Sequence, residues 1–253
     1  MFKKLFGRDK RAPNPDYRIP DGTIVYAVGD VHGRLDLLQA LEQRIVADAT
    51  SRDATRRVIV YLGDFVDRGY ESRAVIDHLL ETEIDGFERV FLMGNHEEYM
   101  IRFLEDSSKA RGWFANGGIE TLMSYGVIAG GSGATDSDLA RVQSEFRLAL
   151  PDAHKSFLAG LPVMHREGDY VFVHAGIRPG VAIDKQDPED LRWIRSEFLE
   201  DKRDYGVVVV HGHTITENPV DRPNRIGVDT GAYASSRLTC AVLTEDRREF
   251  MQT

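Results

Sequence analysis

Residues 23–41 read TIVYAVGDVHGRLDLLQAL. The first six, Thr23 to Val28, are apolar or β-branched with no polar break, as befits a strand covered on both faces. They run straight into the polar cluster Gly29-Asp30-Val31-His32-Gly33-Arg34. Leucines at 35, 38 and 41 then recur at helical spacing. A buried strand, a polar turn and an amphipathic helix form the first half of a strand–helix–strand crossover. The unit repeats: Val58 to Leu62 enters Gly63-Asp64-Phe65-Val66-Asp67-Arg68-Gly69 and the helical stretch Ser72 to Leu80, and Val90 to Met93 enters Gly94-Asn95-His96-Glu97. Two later runs end likewise, Tyr170 to Val173 in His174-Ala175-Gly176 and Val207 to Val210 in His211-Gly212-His213-Thr214. Parallel pairing of the first three strands follows, with all five polar clusters on one rim, where open α/β sheets place their ligands.

The remaining segments complete an α/β reading, mixed β-sheets with helices outside. Glu98 to Leu158 carries helical patterns at Tyr99 to Leu104, Ile119 to Ser124 and Ser137 to Leu150 around Gly130-Gly131-Ser132-Gly133, and reads as a helical cap with a mobile loop. Val163 to His165 and Tyr170 to His174 read as a hairpin turning at Glu167-Gly168-Asp169. Arg225 to Val228 and Leu238 to Leu243 read as further, antiparallel strands. The expected organisation is a basic leader over 1–22 and a catalytic domain over 23–253, with the cap at about 98–160.

Composition narrows the function. A formal net charge of −9 over 253 residues argues against a nucleic-acid partner, because the surface as a whole repels phosphates. An acidic protein acting on phosphate needs local positive charge from metal ions and a few arginines. Cys240 is the single cysteine, so no intramolecular disulfide forms and a reducing, cytoplasmic setting is expected. The start, Met1 to Arg11, is basic but lacks the apolar stretch of a signal peptide. No segment has the length to span a bilayer, so stable membrane insertion is not expected.

Each cluster has a plain alternative. Asp30 and His32, two apart on an extended end, can aim oxygen and nitrogen at one ion, or form an ordinary polar turn. Arg68 offers a forked phosphate donor, or pairs with a neighbouring Asp at the surface. Five of the eight histidines (32, 96, 174, 211 and 213) lie at such strand ends, a recurrence that packing alone does not explain. His78, His154 and His165 read as structural.

The ordered set GDVHGR, GDFVDRG, GNHE, HAGI and HGHT, spread from Gly29 to Gly231, resembles the phosphoprotein phosphatase branch of the calcineurin-like metallophosphoesterases, and within it the bacterial serine/threonine phosphatases. That resemblance implies a central β-sandwich flanked by helices and two divalent ions, manganese first, with iron or zinc as alternatives. It implies that Asp30 and His32 hold one ion, that Asp64 bridges, and that Asn95, His174 and His213 hold the other. A hydroxide shared by the metals would attack phosphorus directly, with Arg68 and Arg195 clamping the phosphate. His96, oriented by Asp67, would protonate the leaving oxygen. Arg195 also reads as a helix-surface arginine, His211 as a group behind the ligands, and Asp229-Thr230-Gly231-Ala232-Tyr233 as either a structural turn or a substrate-side element.

The implied activity is hydrolysis of a phosphomonoester in a phosphoprotein or phosphopeptide, phosphotyrosine included. The competing readings are a dinucleoside polyphosphate hydrolase, acting on compounds such as diadenosine tetraphosphate, and a non-catalytic binding module. Bacterial tetraphosphatases usually carry Ala in place of the second-motif Asp and GNHD in the third motif, whereas this chain has Asp67 and Glu97.

Overall fold

The structure is a computed structural model, and it describes residues 17–131 and 133–253. Most of the basic leader, residues 1–16, lies outside the described residues, as does Ser132 of the glycine-rich loop. Residues 17–22, which the sequence reading assigns to the leader, are instead held on the fold. Ile19 is buried and its N–H donates to the Glu245 carbonyl, while Arg18 and Asp169 exchange hydrogen bonds. The anchoring is long-range, to residues that no local pattern links.

Two mixed five-stranded sheets form the centre. The first has the order β10-β9-β1-β2-β3, built from β1 (Thr23–Val28), β2 (Arg56–Tyr61), β3 (Glu88–Phe91), β9 (Thr239–Thr244) and β10 (Arg247–Gln252). β1, β2 and β3 run parallel, and β9 and β10 are antiparallel additions. The second sheet, β4-β5-β6-β8-β7, comprises β4 (Met164–Glu167), β5 (Tyr170–Val173), β6 (Val208–His211), β7 (Val220–Asp221) and β8 (Arg225–Gly227). β4 and β5 make the expected hairpin. β8 departs from expectation, because it runs parallel to β6 and is antiparallel only to β7. The connection from β6 crosses over instead of turning back, and so adds one more carboxyl end to the rim.

Period-two alternation explains why the strands read as unbroken apolar runs. Val25, Ala27, Val58 and Val60 face Phe172, Val208, Val210 and Ile226 across the seam between the sheets. Ile24, Tyr26, Val28, Ile59 and Tyr61 point the other way, onto a helical layer. That layer contains α1 (Leu35–Thr50), α2 (Ser72–Glu81), α3 (Asn95–Glu105), α4 (Ala110–Trp113), α5 (Ile119–Ser124), α6 (Asp136–Ala149) and α7 (Asp152–Gly160). The helices expected as a cap thus share one apolar cluster with α1 and α2 through Met100, Phe103, Trp113, Leu122 and Phe146. The second sheet's outer face, Val171, Val173 and Val209, is covered by α8 (Pro188–Trp193) and α9 (Ser196–Leu199). A short α10 (Ala232–Ser235) follows β8. Among the described residues no helix is long and apolar enough to cross a membrane.

Candidate active site

The carboxyl ends of six strands, three from each sheet, meet along one edge of the seam. The loops there bend sharply. Five of the seven non-glycine residues with positive φ among the described residues are site residues: His32 (48°), Asp64 (53°), Asp67 (73°), Arg68 (68°) and His213 (63°). Such backbone is costly for a side chain and persists where its surroundings enforce it. Glycines make the crowding feasible: a Cβ on Gly94 would lie 2.1 Å from Asp64 Oδ1, and one on Gly69 2.2 Å from the His32 carbonyl.

Two buried groups of possible ligands form around Asp64. His32, Asp64 and His96 make one, and Asp64, His174 and His213 the other. Asn95 joins the second, its Oδ1 lying 2.9 Å from His174 Nε2. Second partners aim the rings: Nδ1 of His32 donates to the Val66 carbonyl and Nδ1 of His174 to the Leu62 carbonyl, both at 2.8 Å, leaving each Nε2 turned inward. Asp30 is buried beside them, its carboxylate accepting the His213 N–H at 3.1 Å. On the first side His96, expected as proton donor, falls within ligand distance, and Asp30 is turned toward His213.

The electrostatics call for cations. Burial, followed by the neighbouring Asp229 and Asp64 charges, holds Asp30 well above the usual carboxylate range. Asp64 stays well below it: burial opposes ionisation, but His174 and His96 outweigh it. His174 is lowered by burial yet rises to about 9 through Asp64 and Asp30. Burial, then His174, drives His213 down to about 2. Its buried Nε2 has no hydrogen-bond partner, as suits a lone pair aimed at a metal ion. Buried carboxylates, clustered imidazoles, an amide oxygen and one orphaned imidazole nitrogen together fit two divalent ions.

The residues expected to react with substrate lie beside these ligand groups, in the second and third motifs and at Arg195. His96 Nδ1 lies 2.7 Å from Asp67 Oδ2. Burial disfavours its charge, but Asp64 and Asp67 prevail and raise its pKa. Arg68 Nη1 sits 3.0 Å from His32 Nε2, with its guanidinium over the Tyr233 ring at 4.9 Å. Arg195 is exposed in the link between α8 and α9, on neither helix, and donates to the His213 carbonyl and Thr214 Oγ1 at 3.2 and 3.3 Å. His211 belongs to β6 and faces Arg225, outside both ligand groups; burial, with Arg225, lowers it to about 3.

Two carboxylates that the sequence reading quoted within its motifs, Glu97 and Asp229, were given no role of their own there. Glu97 is fully buried and accepts the N–H groups of Gly94, Asp64, Phe65 and Val66 at 2.9, 2.8, 2.7 and 3.3 Å, tying the second and third motifs together. Its signal was available: α3 begins at Asn95, so Glu97 occupies the N3 position that commonly bonds back to a helix start. Asp229 lies two residues beyond β8 and accepts the Gly231 N–H at 2.9 Å. It follows an apolar run and precedes Thr-Gly, a pattern akin to the other five.

The model of the calcineurin-like phosphoesterases matches residues 24–238. The symmetrical bis(5'-nucleosyl)-tetraphosphatase of Dechloromonas aromatica is 29% identical over 156 residues, 61% of this chain and 44% of that relative, so the match spans under half of that relative's length. The asymmetrical bis(5'-nucleosyl)-tetraphosphatase PrpE of Anoxybacillus flavithermus is 25% identical over 230 residues, 84% of this chain and 87% of the relative. Among solved structures, a cold-active protein tyrosine phosphatase aligns with a TM-score of 0.58 at 18% identity, over 93% of this chain and 81% of that one. A metallophosphoesterase from Sphaerobacter thermophilus aligns at 0.51 and 17%, over 91% and 88%. These last two are likenesses of fold. With the family model covering nearly the whole described fold and the ligand groups on its rim, the chain belongs to the calcineurin-like phosphoesterases, hydrolases of phosphoesters built around a dinuclear divalent-metal centre.

Proposed function

We propose that this chain is a bis(5'-nucleosyl)-tetraphosphatase, cleaving dinucleoside polyphosphates such as diadenosine tetraphosphate. The carrying observation is the alignment with the PrpE tetraphosphatase over 84% of this chain and 87% of that one. Aromatic rings on both flanks of the site suit such a substrate. Tyr233 stands beside His32, centroids 5.5 Å apart, and Trp193 lies 6.3 Å from His213. The motif differences at Asp67 and Glu97 stand as departures from the pattern expected of bacterial tetraphosphatases.

In this reading Asp30 and His32 would hold one ion and Asn95, His174 and His213 the other, with Asp64, common to both ligand groups, available to either. Mixed oxygen and nitrogen donors suit manganese first, then iron or zinc. When bound, the ions supply positive charge for the phosphate and a nucleophile from water near neutral pH. Arg68 and Arg195 reach the phosphate oxygens, and His96 gives a proton to the departing oxygen while Asp67 holds its ring. Trp113, Gly117 and Thr121 of the helical layer stand against Asp67 and Arg68 on that side of the site. Replacing Tyr233 with Ala should raise KM for diadenosine tetraphosphate roughly tenfold with little change in kcat, from ~1–3 kcal/mol for a base on an aromatic ring. An unchanged KM would remove Tyr233 from the substrate's path.

One observation favours a phosphoprotein phosphatase as second reading. The Asp67 carboxylate, 2.7 Å from Nδ1, helps keep His96 protonated, and a proton held there is most useful against a serine or threonine alkoxide, whereas the phosphate released from an anhydride is stable as an anion. Parallel kcat/KM measurements with manganese on diadenosine tetraphosphate, a phosphoserine peptide and a phosphotyrosine peptide separate the two. The dinucleotide is expected to lead by orders of magnitude; a lead for either peptide would reverse the order.

A further inference from the structure

We propose that Trp113 and Thr121, from the helical layer, are positioning residues for proton donation: they fix the Asp67 carboxylate so that His96 presents its Nε2 proton to the leaving oxygen. The inference rests on the role given to His96 above.

Asp67 is fully buried and its backbone is left-handed, so neither solvent nor local geometry holds its side chain. Trp113 Nε1 donates to both carboxylate oxygens, at 3.0 and 2.9 Å. Thr121 Oγ1 donates to Oδ1 at 2.7 Å, and His96 Nδ1 meets Oδ2 at 2.7 Å. The Asp67 N–H in turn donates to Thr121 Oγ1 at 2.8 Å and to Ser72 Oγ at 3.1 Å. Because the single Thr121 hydroxyl proton is committed to Asp67, the 3.0 Å contact between Ser72 and Thr121 has Ser72 as donor. Every polar atom in the cluster is therefore satisfied in one orientation only. A buried indole N–H needs an acceptor and a buried carboxylate needs donors, so each constrains the other.

The helical layer is shaped for this grip. The chain kinks at Asn116 and Gly117, where Gly117 has φ 98° and its carbonyl accepts the Arg68 N–H at 3.1 Å. A Cβ on Gly117 would stand 2.6 Å from that nitrogen, and one on Gly118 2.5 Å from the Trp113 ring. Trp113 is further packed by Phe103, Phe114 and Phe146. With Asp67 kept as acceptor, a protonated His96 gives Nδ1–H to Asp67 and turns Nε2–H toward the site. As the phosphorus–oxygen bond breaks, the leaving oxygen takes its electron pair and that proton. Water provides the new bond to phosphorus and loses its own proton, and solvent restores the proton on His96.

The test compares kcat/KM on 4-nitrophenyl phosphate, whose leaving group departs without a proton, and on phenyl phosphate, which needs one. His96→Asn should raise the nitrophenyl-to-phenyl ratio. Trp113→Phe and Thr121→Val should raise it too, losing about 10- to 100-fold on phenyl phosphate and markedly less on the nitrophenyl ester. Thr121→Ser, which restores the hydroxyl, should return it to the wild-type value. Manganese affinity by calorimetry and far-ultraviolet circular dichroism should stay unchanged in Trp113→Phe, Thr121→Val and Thr121→Ser. If His96→Asn raises the ratio while Trp113→Phe and Thr121→Val lose activity equally on both esters, the positioning role is overturned and the donor role stands. If His96→Asn itself leaves the ratio unchanged, the donor assignment falls, and this inference with it.

Discussion

Replacing Asp64 with Asn is expected to cut turnover of 4-nitrophenyl phosphate by on the order of a thousandfold, the scale of losing the charge that organises a metal centre. Asp64 is the one residue common to both ligand groups. Its carboxylate lies 3.3 Å from His174 Nε2 and 3.6 Å from His32 Nε2. Asparagine matches its shape and tolerates the left-handed backbone at φ 53°, so the fold should be spared. The lost charge is what the variant isolates. Metal content by mass spectrometry should fall alongside activity, and a variant with full metal and full turnover would sink the two-ion assignment.

Glu97→Gln should instead be a stability lesion. Glu97 accepts four backbone N–H groups from the two turns that carry Asp64 and Asn95. An amide puts an NH2 where one oxygen stood, orphaning the donors that face it at about 1–3 kcal/mol each. Burial, reinforced by the Asp64 charge, pushes the Glu97 carboxyl up to about 7, so the site already tolerates this acid with difficulty. A drop in Tm of several degrees is expected, with weaker manganese binding as its corollary. An unchanged Tm would mean that the turns hold their shape without the carboxylate.

The strands and their order of polar turns were legible because buried parallel strands leave unbroken apolar runs and the chemistry sits where those runs stop. Arg225 to Val228 was legible as a strand but not in its direction, since pairing depends on a crossover whose path is set by packing. Glu97 announced itself only through its place on the first turn of α3. Trp113 and Thr121 could not be assigned in the same way: they touch Asp67 across 46 and 54 positions of sequence, and nothing in a tryptophan among phenylalanines marks it as a hydrogen-bond donor to a distant carboxylate. Arg195 was expected near the phosphate or on a helix surface, and its contacts with His213 and Thr214 place it at the rim of the site.

The seam has a consequence for the lifetime of the molecule. His32, Asp64 and Asn95 hang from one sheet and His174 and His213 from the other, so an ion held between them ties two halves that otherwise adhere through apolar contact. Such an ion binds the assembled chain and not the open one, and its concentration enters the folding equilibrium directly, adding about 2.7 kcal/mol at a hundredfold excess over its Kd. A chelator should therefore hasten proteolysis as well as stop turnover. The supply of the ion then governs how long each copy survives in addition to how fast it works.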